Sequence, residues 1–261
     1  MLAVLRLTVF LVTAACASLV AGTLNAVKGN SVGFRVWFYR FLCRVLGLEV
    51  VVRGKQTTAA PQLVVCNHIS YLDITVLGAV IPGDFIAKAD IAGWPIFGWM
   101  AKQGQTIFID RRRTATTQAR DQIQERLDAG DTLIMFPEAT SSDGNYMRPF
   151  KSALFTVAER HVTGSDGVER PVTVQPVSLA YTRINGMPIG YGWRAYVAWY
   201  GDMDMASHLW DIMRLGKVTA EVTFHPPVTL AQFASRKELA NHCDRVIRAG
   251  FARLLAGREK A

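Results

Sequence analysis

Cysteine is scarce in this chain of 261 residues, and the four present, Cys16, Cys43, Cys66 and Cys243, stand far apart with no C-x-x-C pair. That excludes the disulfide framework of a small secreted domain and leaves them as reduced thiols. The histidines offer no metal site either. None of His68, His161, His208, His225 and His242 falls at H-x-x-x-H spacing, and His242 and Cys243 are adjacent on a predicted helix, where side chains diverge. Internal repeats, low-complexity tracts and long linkers are also missing, so one large domain with an appendage accounts for the chain.

Charge is missing altogether from Leu7 to Val27, a span of about twenty residues and enough for a helix to cross the hydrocarbon core. A cleaved signal peptide is the alternative, because Ala15-Cys16-Ala17 loosely resembles a cleavage site and Cys16 a lipidation site. Thr13 fits lipidation poorly, and the next segment, "SVGFRVWFYRFLCRVLGL", is not a soluble start. It reads as an aromatic helix whose Arg35, Arg40 and Arg44 suit the head-group region. Only Arg6 precedes the apolar run, whereas Lys28, Arg35, Arg40, Arg44, Arg53 and Lys55 follow it. The positive-inside bias therefore predicts the inner membrane, with the body of the chain facing the cytosol; a re-entrant hairpin satisfies the same charges. On this reading residues 1–47 are a membrane anchor and interfacial helix, and residues 48–261 form the catalytic domain.

What is present is basic. A net charge of +8 draws anionic partners, and the apolar N-terminus selects membrane lipids and an acidic carrier protein over nucleic acid. From Leu48 onward short apolar runs alternate with helical patterns, which predicts an α/β domain with strands at Glu49–Val52, Leu63–Cys66, Phe85–Lys88, Thr106–Ile109, Thr132–Phe136 and Val172–Ala180. A polar-faced helix is expected over Thr114–Ala129 with Gly130 as its stop. A capping box of Ser235 and Glu238 opens a basic amphipathic helix to about Leu255.

Three strand ends carry polar residues. In "LVVCNHISYLDITVL" a strand gives way to a helix at Asn67–Ser70, which puts His68 where ligands bind in parallel sheets. Ser70 and Asp73 also form an S-x-x-D pattern, so Asp73 has a purely capping alternative. "QTIFIDRRR" ends in Asp110 and three arginines, and "TLIMFPEATSSDGN" places Glu138 before a turn of small residues. A solvated basic turn and a plain loop are their ordinary readings. Set after separate strands of one sheet, the three can meet at one crevice.

Here a resemblance becomes specific. Asn67-His68-Ile69-Ser70-Tyr71-Leu72-Asp73 resembles the N-H-x-x-x-x-D block of the glycerolipid acyltransferases, the lysophosphatidate acyltransferase group. "FIDRR" is similar to their second block, "FPEAT" to the third, usually F-P-E-G-T-R, and Val174-Gln175-Pro176-Val177 to the fourth, V-x-P-V. The resemblance covers about Leu48 to Pro227. It implies a mixed sheet flanked by helices, and acyl transfer from a thioester of acyl carrier protein or coenzyme A to a lysolipid hydroxyl, with no metal, redox cofactor or acyl-enzyme.

In that chemistry His68 is the base and Asp73 fixes its tautomer, while backbone amides after Asn67 are expected to hold the oxyanion. The resemblance further implies that Arg111 binds the acceptor's anionic head and that Glu138 and Thr140 build the acceptor pocket. Two departures stand out: Ser141 replaces the third block's arginine, and Ala139 replaces its glycine. Arg148 and Lys151 are candidates to restore the charge, although a surface lysine is the ordinary reading of Lys151. "SSDGN", "PFKSALF" and "AWYGDMDMASHLW" resemble the lyso-ornithine lipid acyltransferase branch, and losing a phosphate contact points the same way. Two other classes remain: a Cys66–His68 thioester hydrolase, and a non-catalytic basic binding protein.

Overall fold

A computed structural model describes residues 1–26, 32–94, 97–109, 117–163 and 168–258. Two helices, α1 (Leu2–Ala26) and α2 (Val32–Leu46), precede strand β1 (Leu48–Arg53). Strand β2 (Gln62–Cys66) leads into α3 (Leu72–Val80) and β3 (Asp84–Lys88). A 3-10 turn, α4 (Phe97–Gln103), β4 (Ile107–Ile109), α5 (Thr117–Asp128) and β5 (Thr132–Met135) follow. After a second 3-10 segment (Ser152–Glu159) come a short hairpin, β6 (His161–Thr163) and β7 (Glu169–Pro171), and the long β8 (Thr173–Ile184). The chain closes with β9 (Met187–Pro188), α6 (Tyr191–Val197), α7 (Met205–Arg214), β10 (Val218–Phe224), β11 (Val228–Thr229) and α8 (Arg236–Leu255).

The main sheet runs β1-β10-β8-β2-β5-β3-β4, with β9 and β11 paired to β8. It is mixed: β8 and β10 are antiparallel, whereas β2 is parallel to both β8 and β5. Every residue of β2 is buried, which is why its sequence is an unbroken apolar run closed by Gln62 and Cys66. All six expected strands form. An additional strand, β10, lies between β1 and β8; its Glu221 is held by Arg53 at 2.8 Å and by Thr182 at 2.8 Å, so a carboxylate sits in a buried strand. The Ser235 cap accepts from the Glu238 amide, and α8 ends at Leu255 as expected.

Helix α2 lies across α3, and Gly78 permits it: a Cβ there would stand 2.4 Å from the Tyr39 ring. Arg35 of α2 is buried and paired with Asp84 at 2.8 Å, while Arg126 of α5 takes the other Asp84 oxygen. Arg40 donates to the Ala79 carbonyl at 2.9 Å. The head-group role expected for Arg35 is therefore replaced by internal pairing, whereas Arg40 stays exposed.

The transmembrane anchor expected over Leu7–Val27 is not supported. Among the described residues no helix is long and apolar enough to cross a membrane. Instead α1 buries Ala3, Phe10, Ala14 and Ala17 and packs on α2, α4 and α7. Arg6 is not a flanking charge; its guanidinium donates to the carbonyls of Met213, Leu215 and Gly216, capping the end of α7. The opposite side of α1 leaves Leu5, Val12 and Leu19 exposed at seven-residue intervals.

Candidate active site

The turn after β2 is built by Asn67, fully buried, whose side-chain amide donates to Leu179 O and whose oxygen accepts from Leu179 N, each at 2.8 Å. This side chain continues the β2–β8 ladder past the last strand residue, so the chain turns at a fixed place and His68 leaves the sheet.

His68 Nδ1 stands 2.8 Å from Asp73 Oδ2. The same oxygen accepts from the amides of Ile69 at 2.6 Å and Ser70 at 3.0 Å, and Tyr181 donates its hydroxyl to Oδ1 at 2.8 Å. Asp73 is completely buried, and four donors compensate its desolvation. Burial pushes the Tyr181 hydroxyl well up, so it stays a donor. Because a carboxylate accepts the Nδ1 proton, Nε2 is the nitrogen left for substrate. Beneath the imidazole lies Phe136, stacked with ring centroids 4.2 Å apart.

Asp73 orients His68 and accepts from the amides of the turn that precedes α3, whereas the Ser70 hydroxyl does not cap: α3 has no side-chain cap bond, and Ser70 Oγ is buried without a partner. The amides expected to face an oxyanion are also committed, Ile69 and Ser70 to Asp73, and His68 N to Glu138 Oε1 at 2.8 Å.

Glu138 is 2% exposed, and its second oxygen accepts from the Arg148 amide at 2.5 Å. Burial pushes its carboxyl up to about 7, with the Asp73 charge adding to the rise and the two amides opposing it. It ties the β2 turn, the β5 turn and the 148 segment together, so it is a positioning residue that shapes this end of the sheet through backbone amides. Ala139 adopts φ +69°, the left-handed conformation for which glycine is the usual residue, so this turn keeps its shape despite the Cβ. Thr140 is exposed on that turn, as is Lys151, whose amide donates to Pro137 O at 2.9 Å. Ser141 is buried, with its hydroxyl on Trp199 O, and Arg148 brings its Nε to Ser141 O at 3.3 Å. A guanidinium therefore stands beside the position where the sequence has lost one. Arg111, with the rest of the Asp110–Arg113 turn, lies outside the described residues; β4, which leads to it, is at the sheet edge, separated from β5 by β3.

Cys66 is fully buried, and burial followed by the charges of Asp73 and Glu138 pushes its thiol well above the usual range. It is no thiolate nucleophile. Sequence reading missed Phe136, Tyr181 and the bridging role of Asn67. Tyr181 was detectable: it shares a strand face with Val177 and Leu179 at period two, and a buried phenol there needs a partner.

His68 also lines an apolar cavity that passes between α2, α3 and β3, with Tyr71, Ile74, Phe38, Leu42 and Phe85 among its walls. A buried base–carboxylate pair at the carboxyl end of a parallel strand, over a mostly apolar cavity whose lining arginine, Arg35, is paired with Asp84, defines an α/β enzyme acting on a substrate with a hydrocarbon part. The comparisons agree. The acyltransferase family matches residues 42–180. A lyso-ornithine lipid O-acyltransferase from Brucella abortus is 41% identical over 85% of this chain and 83% of that protein, and one from Rhizobium meliloti is 38% identical over 87% and 77%. A 1-acyl-sn-glycerol-3-phosphate acyltransferase from Neisseria gonorrhoeae is 32% identical over 78% and 74%. The crystal structure of the 1-acyl-sn-glycerophosphate acyltransferase from Thermotoga maritima shares the fold, with a TM-score of 0.57 over 95% of this chain and 99% of that one at 22% identity. The chain belongs to the acyltransferase family and is an enzyme that transfers acyl groups.

Proposed function

We propose that this acyltransferase moves an acyl group from a thioester to the hydroxyl of a lysolipid, with lyso-ornithine lipid as the preferred acceptor. The observation that carries the mechanism is the His68–Asp73 pair at 2.8 Å facing the apolar cavity. His68 Nε2 takes the acceptor's hydroxyl proton as its oxygen attacks the thioester carbonyl, and the thiol leaves with a proton returned by the imidazolium. Asp73 holds the tautomer and stabilises the imidazolium. The acceptor oxygen is the nucleophile, so no acyl-enzyme forms. The donor's acyl chain lies in the cavity under His68.

Acceptor preference is supported by the names of the relatives at 41% and 38% identity and by Ser141, which is buried and offers no charge to a phosphate. Arg148 beside Ser141 favours lysophosphatidate as a second acceptor. A net charge of +8 favours an acidic acyl carrier protein over coenzyme A as donor. The exposed stripe of Leu5, Val12 and Leu19 supports seating in one leaflet of the inner membrane, with the catalytic face toward the cytosol. Purified protein assayed with lyso-ornithine lipid and lysophosphatidate, each with both donors, tests the reading: a higher kcat/KM on lyso-ornithine lipid is expected, and turnover of lysophosphatidate alone overturns the acceptor assignment.

A further inference from the structure

The cavity under His68 is not isolated. An apolar groove between α1 and α7 meets it, and the two share Phe10, Trp94, Trp199, Met205 and Leu209 as walls. The groove alone is lined by Leu7 and Leu11 of α1 and by Ala206 and Trp210 of α7. Asp204, the charged wall among the described residues, already caps α7 by accepting from the Ser207 amide at 2.8 Å. Leu11 and Trp210 are about two-fifths exposed, so the groove opens outward on the exposed apolar side of α1.

At the junction Trp94 and Trp199 meet edge to face, 5.7 Å between centroids. Trp199 is fixed from both ends: its amide donates to Ile69 O at 3.0 Å, one residue from the base, and its indole N–H to Met203 O at 2.9 Å. An aromatic wall thus stands between the compartment that His68 lines and the adjoining groove, with Trp199 anchored to the residue after His68.

Transfer between two lipidic substrates requires two hydrocarbon chains to sit near His68 at once, and the groove supplies a second apolar compartment adjoining the cavity that His68 lines. We infer that the α1–α7 groove holds the single hydrocarbon chain of the acceptor lysolipid, entering sideways from the bilayer, while the donor chain occupies the cavity between α2 and α3. The inference rests on the proposed lysolipid reaction and adds to it the acceptor's chain site. Apolar burial favours a chain over a head group there, and the Trp94–Trp199 wall keeps the two chains apart.

Photo-crosslinking tests the site without turnover. A lyso-ornithine lipid carrying a diazirine at the end of its chain is bound to the full-length His68→Ala protein in vesicles, and labelled peptides are mapped. Label is expected in residues 2–26 and 205–214, reduced at least tenfold by adding Ala206→Phe, which fills the groove from the exposed side of α7. Ala206→Phe in the otherwise unaltered enzyme should also lower the ratio of kcat/KM for long-chain over short-chain lysolipid at least tenfold. Label confined to residues 32–46 and 72–80, label indifferent to Ala206→Phe, no labelled peptide, or an unchanged chain-length ratio each overturns the groove. The two readings fail separately: groove labelling by a lysolipid that the unaltered enzyme does not acylate rejects the proposed reaction, and acylation with label elsewhere rejects the groove.

Discussion

His68 gains its chemistry from one buried oxygen. Asp73 Oδ2 serves the imidazole and two backbone amides together, so Asp73→Asn presents an amide group to donors that need an acceptor. Activity should fall roughly 10^3- to 10^4-fold, as for the equivalent change in serine-protease triads, and the melting temperature should drop as well. His68→Ala should remove at least about a hundredfold of activity while the protein still unfolds cooperatively, its melting temperature lowered only modestly because three donors still reach Asp73. Retained activity in His68→Ala, or a purely thermal effect in Asp73→Asn, contradicts the mechanism. Glu138 gives a pH signature. Its folded carboxyl is raised to about 7 against an ordinary value of 4.5, so the folded state binds more protons between those values and stability falls as pH rises through the window. The loss is up to about 3 kcal/mol at ~1.4 kcal/mol per pH unit. Glu138→Gln should lack that slope in urea melts run from pH 4.5 to 7, while being less stable overall through an N–H facing an N–H. Ser141→Arg, which the motif alone recommends for phosphate binding, should instead lower stability and turnover on both acceptors. Its site is buried and its hydroxyl bonds Trp199 O, so an arginine displaces the wall beside the base. A gain on lysophosphatidate in the specificity assay refutes this.

At the scale of elements, α2 is held down by charge as well as by apolar packing. Asp84 at the start of β3 receives Arg35 from α2 and Arg126 from α5, and burial pushes its carboxyl up while the two guanidinium groups oppose the rise. Removing one partner leaves a buried carboxylate short of compensation. Arg35→Met should cost about 3 kcal/mol in denaturant unfolding, the size expected for a broken buried pair. A neutral outcome means that Arg126 alone satisfies Asp84. The same pair explains a misreading: on a helical wheel Arg35 belongs to an amphipathic helix at a membrane surface, but α2 turns that residue inward because Asp84 waits beneath it.

At the scale of the whole molecule, α1 is a cover whose two faces do different things. One face closes the cavity with Phe10 and Ala17; the other presents Leu5, Val12 and Leu19 at 63%, 58% and 70% exposure. Changing those three to serine should reduce partitioning onto anionic vesicles by at least about a hundredfold, or ~3 kcal/mol, while leaving the melting temperature of the detergent-solubilised protein alone. Unchanged partitioning in a flotation assay shows that another surface carries the membrane contact.

The sequence by itself determined the α/β order, the six anticipated strands, the α8 cap at Ser235 and the family, because these rest on local periodicity and on short motifs read along the chain. It also brought out His68 and Asp73, five residues apart on one strand-to-helix turn. Tertiary structure alone decided the rest. Tyr181 reaches Asp73 across 108 residues, and Glu138 joins the His68 amide to that of Arg148 across 70 and 10. Arg6 reaches the end of α7 across more than two hundred positions, which no count of charges around an apolar run reveals. Such contacts depend on which strands neighbour β2 and which face of a helix meets the body, and a buried polar group advertises only that it needs a partner, not where the fold will supply one.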